Sequence, residues 1–237
     1  MILYLYALAD RLVDLEGLTG VAAEALSLID APKARVVAGR MDAVPAVGRA
    51  TLEAQDRLVR ALHDRTDALL PMRFGTAFDD EEAVGRAIEI IAADLPARFD
   101  QVRGKDQMTV RVLRTRTDAG GASGAEGAGA KGALGASGAL GAEQAGTPID
   151  VGIGTKYLQQ KAQVDRSPEI APLLDALRDL ARATRIESGS GDLVATVYQL
   201  IDRGAGNEFS TRVAAAAGRM PTLTLRVSGP APPYAFA

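Results

Sequence analysis

Apolar residues at the front of the chain occur first in continuous runs and then at helical spacing, which predicts strands followed by helices. Residues 2–8 are a continuous apolar run, typical of a buried strand. Residues 25–29 and 34–39 are two further short apolar runs, and segment 30–33 between them contains the proline of a turn. The chain is therefore predicted to begin with three strands.

A helix is predicted over residues 45–67, because apolar residues recur there every three or four positions. Its predicted inward face consists of Val47, Ala50, Ala54, Leu58, Ala61 and Leu62. Its predicted outward face consists of Arg49, Glu53, Asp56, Arg60 and Asp64. A short strand is predicted next, over residues 69–74, and it ends at Gly75.

A second helix is predicted to begin at Asp79 or Asp80, since the acidic residues 79–82 complement the positive end of a helix dipole. Pro96 is expected to kink or end this helix, because the proline ring clashes with the preceding turn. The residues predicted to point inward are Val84, Ala87, Ile88, Ile91 and Leu95.

The back of the chain repeats the alternation of strands and helices. Strands are predicted at 107–115, 184–188, 192–201 and 221–227, and helices at 155–183 and 207–218. The resulting order, βαββαβ, is that of a ferredoxin-like unit, an antiparallel sheet with two helices on one face. We predict an α+β protein of two domains, the second ferredoxin-like and the first a modified version of the same architecture.

A Gly/Ala-rich tract interrupts the second predicted domain. Residues 119–146 hold 10 Gly and 10 Ala in 28 positions, with no Pro and no aromatic residue. Such a segment buries too little surface to offset its ordering entropy, so we predict a flexible loop. The predicted division is an N-terminal domain at 1–104, a C-terminal domain at 105–228 and a Pro-rich tail at 229–237.

Composition and charge exclude several classes of protein. The 237 residues include 27 Lys and Arg against 30 Asp and Glu, a net charge of −3, so nucleic acid is not expected as the main partner. There is no cysteine, which excludes disulfides and thiolate metal sites and fits the reducing cytosol. The apolar start has no basic segment before it and meets Asp10 early, so neither a signal peptide nor a membrane span is expected.

Residues that could carry catalysis are few. His63 is the only histidine, so a His-rich metal site is excluded, and we predict that His63 is an exposed structural residue. The segment 152–156 lacks the GxxxxGK[ST] spacing of a phosphate-binding loop, and Gly104-Lys105 is followed by Asp106 rather than Ser or Thr. The sequence predicts no active site, no cofactor and no metal.

Three segments have an unusual composition but no recognisable set of catalytic residues, namely residues 70–78, 103–112 and 228–236. The first places Arg73 and two phenylalanines around a glycine, in a chain that has 5 Phe, 5 Tyr and no Trp. The last contains three prolines, which are expected to hold it extended.

Two interpretations of the tail remain open. In one, the tail is a strap that packs Tyr234 and Phe236 into a gap between the domains. In the other, it joins Phe74 and Phe78 in a docking surface for another protein.

Five short motifs follow one another along the chain. They are L-Y-x-Y at 3–6, L-P-x-R-F-G-T-x-F at 70–78, G-K at 104–105, G-x-x-Y-L at 154–158 and G-P-x-P-P-Y-x-F at 229–236. In this order they resemble the motifs of the gas vesicle protein L/F family (GvpL/GvpF). The resemblance covers the whole chain except the Gly/Ala-rich tract, which falls where family members vary in length.

The chain departs from the family pattern at three places. The family often carries His where Gln55 stands, Glu-Trp where Gln107 and Met108 stand, and Trp where Ala231 stands. The absent tryptophans reduce the aromatic area available to a partner. The fold is not affected, because methionine fills an aromatic-sized gap tolerably.

The resemblance implies a non-enzymatic, cytoplasmic protein that is associated with the shell of gas vesicles, the gas-filled protein compartments that give some microorganisms buoyancy. Its implied partners are the small hydrophobic major shell protein and other gas vesicle accessory proteins, with no nucleic acid and no membrane. The candidate partner-binding or interdomain residues are Arg73, Phe74, Gly75, Phe78, Gly104, Lys105, Tyr157, Pro230, Pro232, Pro233, Tyr234 and Phe236.

Two alternatives belong to other classes of function. The chain could be a small-molecule enzyme on ferredoxin-like domains, with Arg73 as anion anchor and Lys105 or Lys156 as base, because this fold hosts many activities. It could also be an adaptor unrelated to vesicles. Arg73 at the floor of a deep pocket among carboxylates favours the enzyme, whereas Arg73 holding the domain interface by hydrogen bonds favours assembly.

Overall fold

Two antiparallel sheets covered by helices make up the fold, which confirms the predicted α+β class. The computed structural model describes residues 1–115 and 168–237. The first sheet contains β1 (Ile2–Ala9), β2 (Leu26–Ala31), β3 (Ala34–Met41), β4 (Leu69–Pro71) and β5 (Ala77–Phe78). Its order is β2-β3-β1-β4, with β5 also paired to β1, and every pairing is antiparallel.

Strand β1 is buried on both of its faces, which explains its continuous apolar run. Leu3, Leu5 and Leu8 belong to one core cluster of the first sheet, while Tyr4 and Tyr6 belong to the other. Helix α1 (Arg49–Asp64) packs on the tyrosine side. Helices α2 (Glu81–Ile91) and α3 (Leu95–Val102) pack on the leucine side.

Helix α1 is shorter than predicted and turns a different face inward. It begins at Arg49 after Gly48, and its buried residues are Gln55, Leu58, Val59, Leu62 and His63. Val47 precedes the helix and is 71% exposed, so its predicted inward position is wrong. The local pattern identified Leu58 and Leu62, but the polar Gln55 and His63 are buried because the tertiary structure supplies them with partners.

The acidic segment at 79–82 begins a helix, as predicted. The side chain of Asp80 accepts a hydrogen bond of 2.7 Å from the Ala83 amide, so Asp80 is the N-cap of α2. Pro96 lies in the first turn of α3, so a new helix starts there. This position suits proline because its missing N–H has no partner within a first helical turn.

The second sheet is ferredoxin-like. It contains β6 (Lys105–Arg114), β7 (Ala183–Ser188), β8 (Leu193–Asp202) and β9 (Leu223–Ala231), in the antiparallel order β7-β8-β6-β9. Helices α4 (Ala171–Leu177) and α5 (Gly206–Ala217) pack on one face of this sheet. Numbered within the unit, the strand order is 2-3-1-4, as the βαββαβ connection predicts.

Several predictions for the middle of the chain lie outside the described residues. These are the Gly/Ala-rich loop at 119–146, the segment 152–156, Tyr157 and the first part of the helix predicted at 155–183. Within the described part, α4 ends at Leu177, so the predicted helix end at 183 is wrong. None of the helices within 1–115 and 168–237 is long and apolar enough to cross a membrane.

The two sheets share part of a hydrophobic core. Leu200 of β8 is buried in the core cluster of the first sheet, and Phe236 near the end of the chain packs against the same cluster. The proposed division at Gly104 coincides with the turn between α3 and β6. Division into two domains at that turn remains a prediction.

Candidate functional site

A polar cluster joins the two sheets, and Arg203 lies at its centre. Arg203 Nη2 donates hydrogen bonds to the backbone oxygens of His63 at 2.8 Å and Thr66 at 2.9 Å. His63 Nε2 lies 3.0 Å from Asp106 Oδ1, and Arg203 Nε lies 3.7 Å from the same oxygen. The cluster therefore ties the end of α1 to β6 and to the turn after β8, across 140 positions of sequence.

His63 is a buried interface residue, with only 4% of its surface exposed, so its predicted exposed position is wrong. It lies one turn after Val59 on the inner face of α1. A buried imidazole requires polar partners, and Asp106 and Arg203 supply them. The sequence around Arg203 did not indicate its role, because its partners come from distant elements.

Gly104 and Lys105 belong to the same junction. Gly104 has a φ of +65° and donates its N–H to the Asp67 oxygen at 2.7 Å, while its own oxygen accepts from the Arg203 amide at 3.1 Å. Lys105 Nζ donates to the Arg103 oxygen at 3.1 Å. Gly104 and Lys105 therefore lie at the place where hydrogen bonds join the two sheets.

The C-terminal tail is docked along this junction rather than free. Strand β9 continues to Ala231, and Pro232 and Pro233 are buried while Pro230 is exposed. The chain then ends in a short 3₁₀ turn, Tyr234–Phe236. The tail is thus extended over its prolines but not over its last residues.

Hydrogen bonds hold the tail to both halves of the protein. The Ala235 amide donates to Gln107 Oε1 at 2.7 Å, and the Ala235 oxygen accepts from Arg185 Nη1 at 3.0 Å. Arg60 Nη1 of α1 donates to the Pro230 oxygen at 2.8 Å. These contacts have the geometry of a strap between the two sheets.

The tail aromatics are also engaged within the chain. Tyr234 is 38% exposed, and its hydroxyl donates to Asp56 Oδ1 at 3.1 Å. Burial, followed by the charge of Asp56, raises the pKa of Tyr234. Phe236 and Phe78 both pack against the first core cluster. The docking role predicted for these three aromatic residues remains untested, and their contacts serve the fold.

The loop that carries Phe74 is positioned by a buried hydrogen-bond network. Tyr4 Oη donates to Gln55 Oε1 at 2.7 Å and accepts from the Gly75 amide at 2.9 Å. Gln55 Nε2 donates to the Met72 oxygen at 3.2 Å. Gly75 has a φ of +89°, a backbone conformation that favours glycine. Burial raises the pKa of Tyr4, so its hydroxyl stays a donor.

Phe74 lies edge-on to Tyr4, with their ring centroids 6.0 Å apart, and it is half-buried. Arg73 is exposed, its oxygen accepts from Thr76 Oγ1 at 2.8 Å, and its guanidinium makes no ion pair with any described residue. Arg73 therefore neither lies at the floor of a pocket nor holds the interface between the sheets. Neither of the two arrangements that would distinguish the enzyme from the assembly role therefore occurs at Arg73.

The enzymatic alternative gains no support from the described residues. A surface cavity of about 650 Å³ is lined by Asp10, Arg11, Leu12, Ala31, Lys33, Ala34 and Arg35, and Arg73 is not among them. No cluster of metal-ligating side chains occurs in the part of the chain that the structure describes. Lys156, the second candidate base, lies outside that part.

One exposed valine, Val44, adjoins the Phe74 loop, and a second exposed valine, Val47, follows it three positions along the chain. Val44 and Val47 are 45% and 71% exposed, and Val44 Cγ1 lies 4.0 Å from where a Cβ atom of Gly75 would stand. We call Val44, Val47 and Phe74 the apolar surface. The sequence pattern missed it, because the spacing of Val47 predicted an inward position.

Tyr6 makes protein stability depend on pH. Its hydroxyl donates to Glu24 Oε1 and accepts from the Val21 amide at 3.0 Å. Burial first, then the Glu24 hydrogen bond, raise the pKa of Tyr6 above the ordinary 10.0. Because the unfolded tyrosine ionises while the folded one stays neutral, we expect the free energy of unfolding to fall as the pH rises above 10.0.

Urea denaturation at several pH values on either side of the ordinary tyrosine pKa measures this dependence. Tyr6→Phe should reduce the alkaline slope by up to about 1.4 kcal/mol per pH unit. Tyr4, Tyr198 and Tyr234 also have raised pKa values and leave a residual slope in the variant. A Tyr6→Phe slope equal to the wild-type slope contradicts the assignment.

Comparison with known proteins agrees with this architecture. GvpF from Anabaena sp. PCC7120 has a crystal structure that matches with a TM-score of 0.70 at 17% identity, over 100% of this chain and 95% of that one. GvpF from Microcystis aeruginosa matches with a TM-score of 0.70 at 17% identity, over 99% and 98% of the two chains. No curated protein matches the sequence. The model of the family described as gas vesicle synthesis protein GvpL/GvpF matches residues 2–237, so the chain belongs to that family.

Proposed function

We propose that this protein is a gas vesicle accessory or minor structural component that binds the hydrophobic major shell protein and assists nucleation and assembly of the vesicle. Membership of the GvpL/GvpF family supports the link to gas vesicles. The observation that carries the binding role is the apolar surface, where exposed Val44 lies beside the Phe74 loop and exposed Val47 follows three positions later.

The physical need for such a partner follows from the shell itself. A subunit whose surface will face gas is apolar, and in water that surface aggregates unless another protein covers it. An exposed apolar surface on a carrier protein supplies the covering contact. Phe74 provides an aromatic anchor of the kind that dominates many interfaces.

The apolar surface suits this task better than the tail does. The tail prolines Pro232 and Pro233 are buried, and Phe236 packs on the protein's own core. Phe74 is held by Tyr4 on a loop that hydrogen bonds position, so it is presented to a partner with little loss of entropy. We therefore place the shell-protein contact on the first sheet's side of the molecule.

Co-purification tests the proposal. The full chain is co-expressed with the tagged major shell protein, and the amount retained with the tag is measured. We expect wild type to be retained and to keep the shell protein in the soluble fraction. The double variant Val47→Asp with Phe74→Ala should be retained at least about tenfold less, because it removes an anchor and adds a charge at the contact.

Ile90→Asp is the matched control. Ile90 is 84% exposed on α2, away from the apolar surface, so this variant adds the same charge at an exposed apolar residue and should be retained like wild type. Urea denaturation confirms that each variant is folded. Absence of wild-type retention contradicts shell-protein binding. Equal retention of the double variant and wild type contradicts the assignment of the contact to the apolar surface, but not shell-protein binding itself.

The proposed location is the cytoplasm and the vesicle shell. A strain that makes gas vesicles can report it, because intact gas vesicles float and separate from cytosol on centrifugation. The proposal also includes contacts with other gas vesicle accessory proteins. These contacts need not involve the apolar surface.

A further inference from the structure

One end of the outer face of the second sheet is covered by the docked tail, where Gln107 binds the Ala235 amide, and no described helix covers the other end. In an antiparallel sheet, directly opposite residues point to the same side. Val110, Val197 and Ile186 are opposite one another, and all three are buried on the side of α4 and α5. The next register row therefore points away from the helices, and it consists of Arg226, Arg111, Thr196 and Glu187.

Two arginines in this row are neighbours. Arg111 of β6 and Arg226 of β9 are direct register partners, which places their Cα atoms about 5 Å apart. Both are exposed, and neither makes an ion pair or side-chain hydrogen bond with a described residue. Like charges directly opposite on paired strands destabilise a sheet, so the protein carries this arrangement at a cost.

The rest of the face leaves this pair without a carboxylate. Arg185 Nη2 binds Glu187 Oε1 at 3.1 Å, and Tyr198 Oη donates to Glu187 Oε2 at 3.0 Å. Glu187 is thus already engaged at the far side of the sheet. Thr109 and Ser228 lie opposite each other in the adjacent row and place hydroxyl groups beside the two arginines.

We propose that this outer face binds an acidic segment of a partner protein, with Arg111 and Arg226 together holding its carboxylates. A guanidinium group donates two parallel hydrogen bonds to a carboxylate, and two adjacent groups fit an acidic pair. The face is positive on a chain whose net charge is −3, so it selects acidic partners locally. This face and the apolar surface share no residue.

Aromatic content favours a polypeptide over single-stranded RNA. RNA-binding sheet faces stack bases on several aromatic side chains, whereas the aromatic residue placed here is Tyr198, whose hydroxyl is bound to Glu187. An acidic peptide can approach from the β9 edge, away from Glu187.

Fluorescence anisotropy with the full chain tests the proposal. The probe is a fluorescein-labelled peptide of alternating Glu and Ser, with a matched Gln and Ser peptide and labelled oligouridine as comparisons. We expect wild type to bind the Glu peptide, with an affinity that falls as salt rises. Arg111→Gln and Arg226→Gln should each weaken binding about threefold, and the double variant about tenfold.

Arg219→Gln is the matched control, since Arg219 is exposed in the turn after α5 and the substitution removes the same charge without affecting the outer face. Equal binding of the Gln peptide, no loss in the double variant, or tighter binding of oligouridine overturns the proposal. Arg226→Glu gives a second test. It should raise the thermal midpoint by relieving the repulsion while abolishing peptide binding, and a lowered midpoint contradicts the repulsion argument.

Discussion

Replacing Arg203 by methionine is expected to lower the free energy of unfolding by about 3 kcal/mol. The substitution leaves the backbone oxygens of His63 and Thr66 without their donor and removes the positive charge beside Asp106. The Arg203 side chain is 31% exposed, so water compensates part of the loss. The expected effect is therefore at the lower end of the range for breaking a buried ion pair.

Urea denaturation followed by circular dichroism measures the loss. Arg219→Met is the control, because its side chain is exposed and makes no hydrogen bond or ion pair with the described residues, and it should change stability by less than about 0.5 kcal/mol. Adding Asp106→Asn to Arg203→Met should restore part of the stability, because it removes the carboxylate that Arg203→Met left without a countercharge. An unchanged midpoint in Arg203→Met contradicts a structural role for the cluster.

Gly229→Ala is expected to destabilise the protein by about 3 kcal/mol. Gly229 has a φ of +121°, which an alanine adopts only with strain. A Cβ atom there would lie 2.7 Å from the Gln107 oxygen and 2.8 Å from Met108 Sδ, inside van der Waals contact. Because this residue begins the docked tail, the tail is expected to shift or detach from the junction.

Gly218→Ala supplies the matched control. Gly218 has a φ of −61°, and the atom nearest to its new Cβ would be 3.6 Å away, so the same substitution should be neutral or slightly stabilising. Limited proteolysis measures how often the tail detaches. The tail should be cleaved faster in Gly229→Ala than in Gly218→Ala. Equal urea midpoints and equal cleavage of the two variants contradict the predicted steric conflict.

Two surfaces with different chemistry lie on different parts of the fold. The apolar surface adjoins α1 of the first half, and the arginine pair lies on the outer face of the second sheet. If both proposals hold, the protein can hold an apolar shell subunit and an acidic partner at the same time. Loss of one interaction should then leave the other intact, because the two sets of residues do not overlap.

Local sequence pattern was sufficient for most of the elements and their order, although it did not predict β5 or α3. The unbroken apolar run at the start becomes β1, which is buried on both faces, and the acidic run at 79–82 becomes the start of α2. Alternation along 107–115 and 192–201 becomes β6 and β8. These features follow from side-chain periodicity and helix capping, which depend on residues only a few positions apart.

The tertiary structure alone decided which polar side chains are buried and which apolar ones are not. His63 and Gln55 are buried because Arg203, Asp106 and Tyr4 reach them from other elements. Val47 is exposed because α1 begins after it. A sequence periodicity carries no information about partners on distant strands, so the junction, the apolar surface and the adjacent arginines became visible only once strand pairing brought distant residues together.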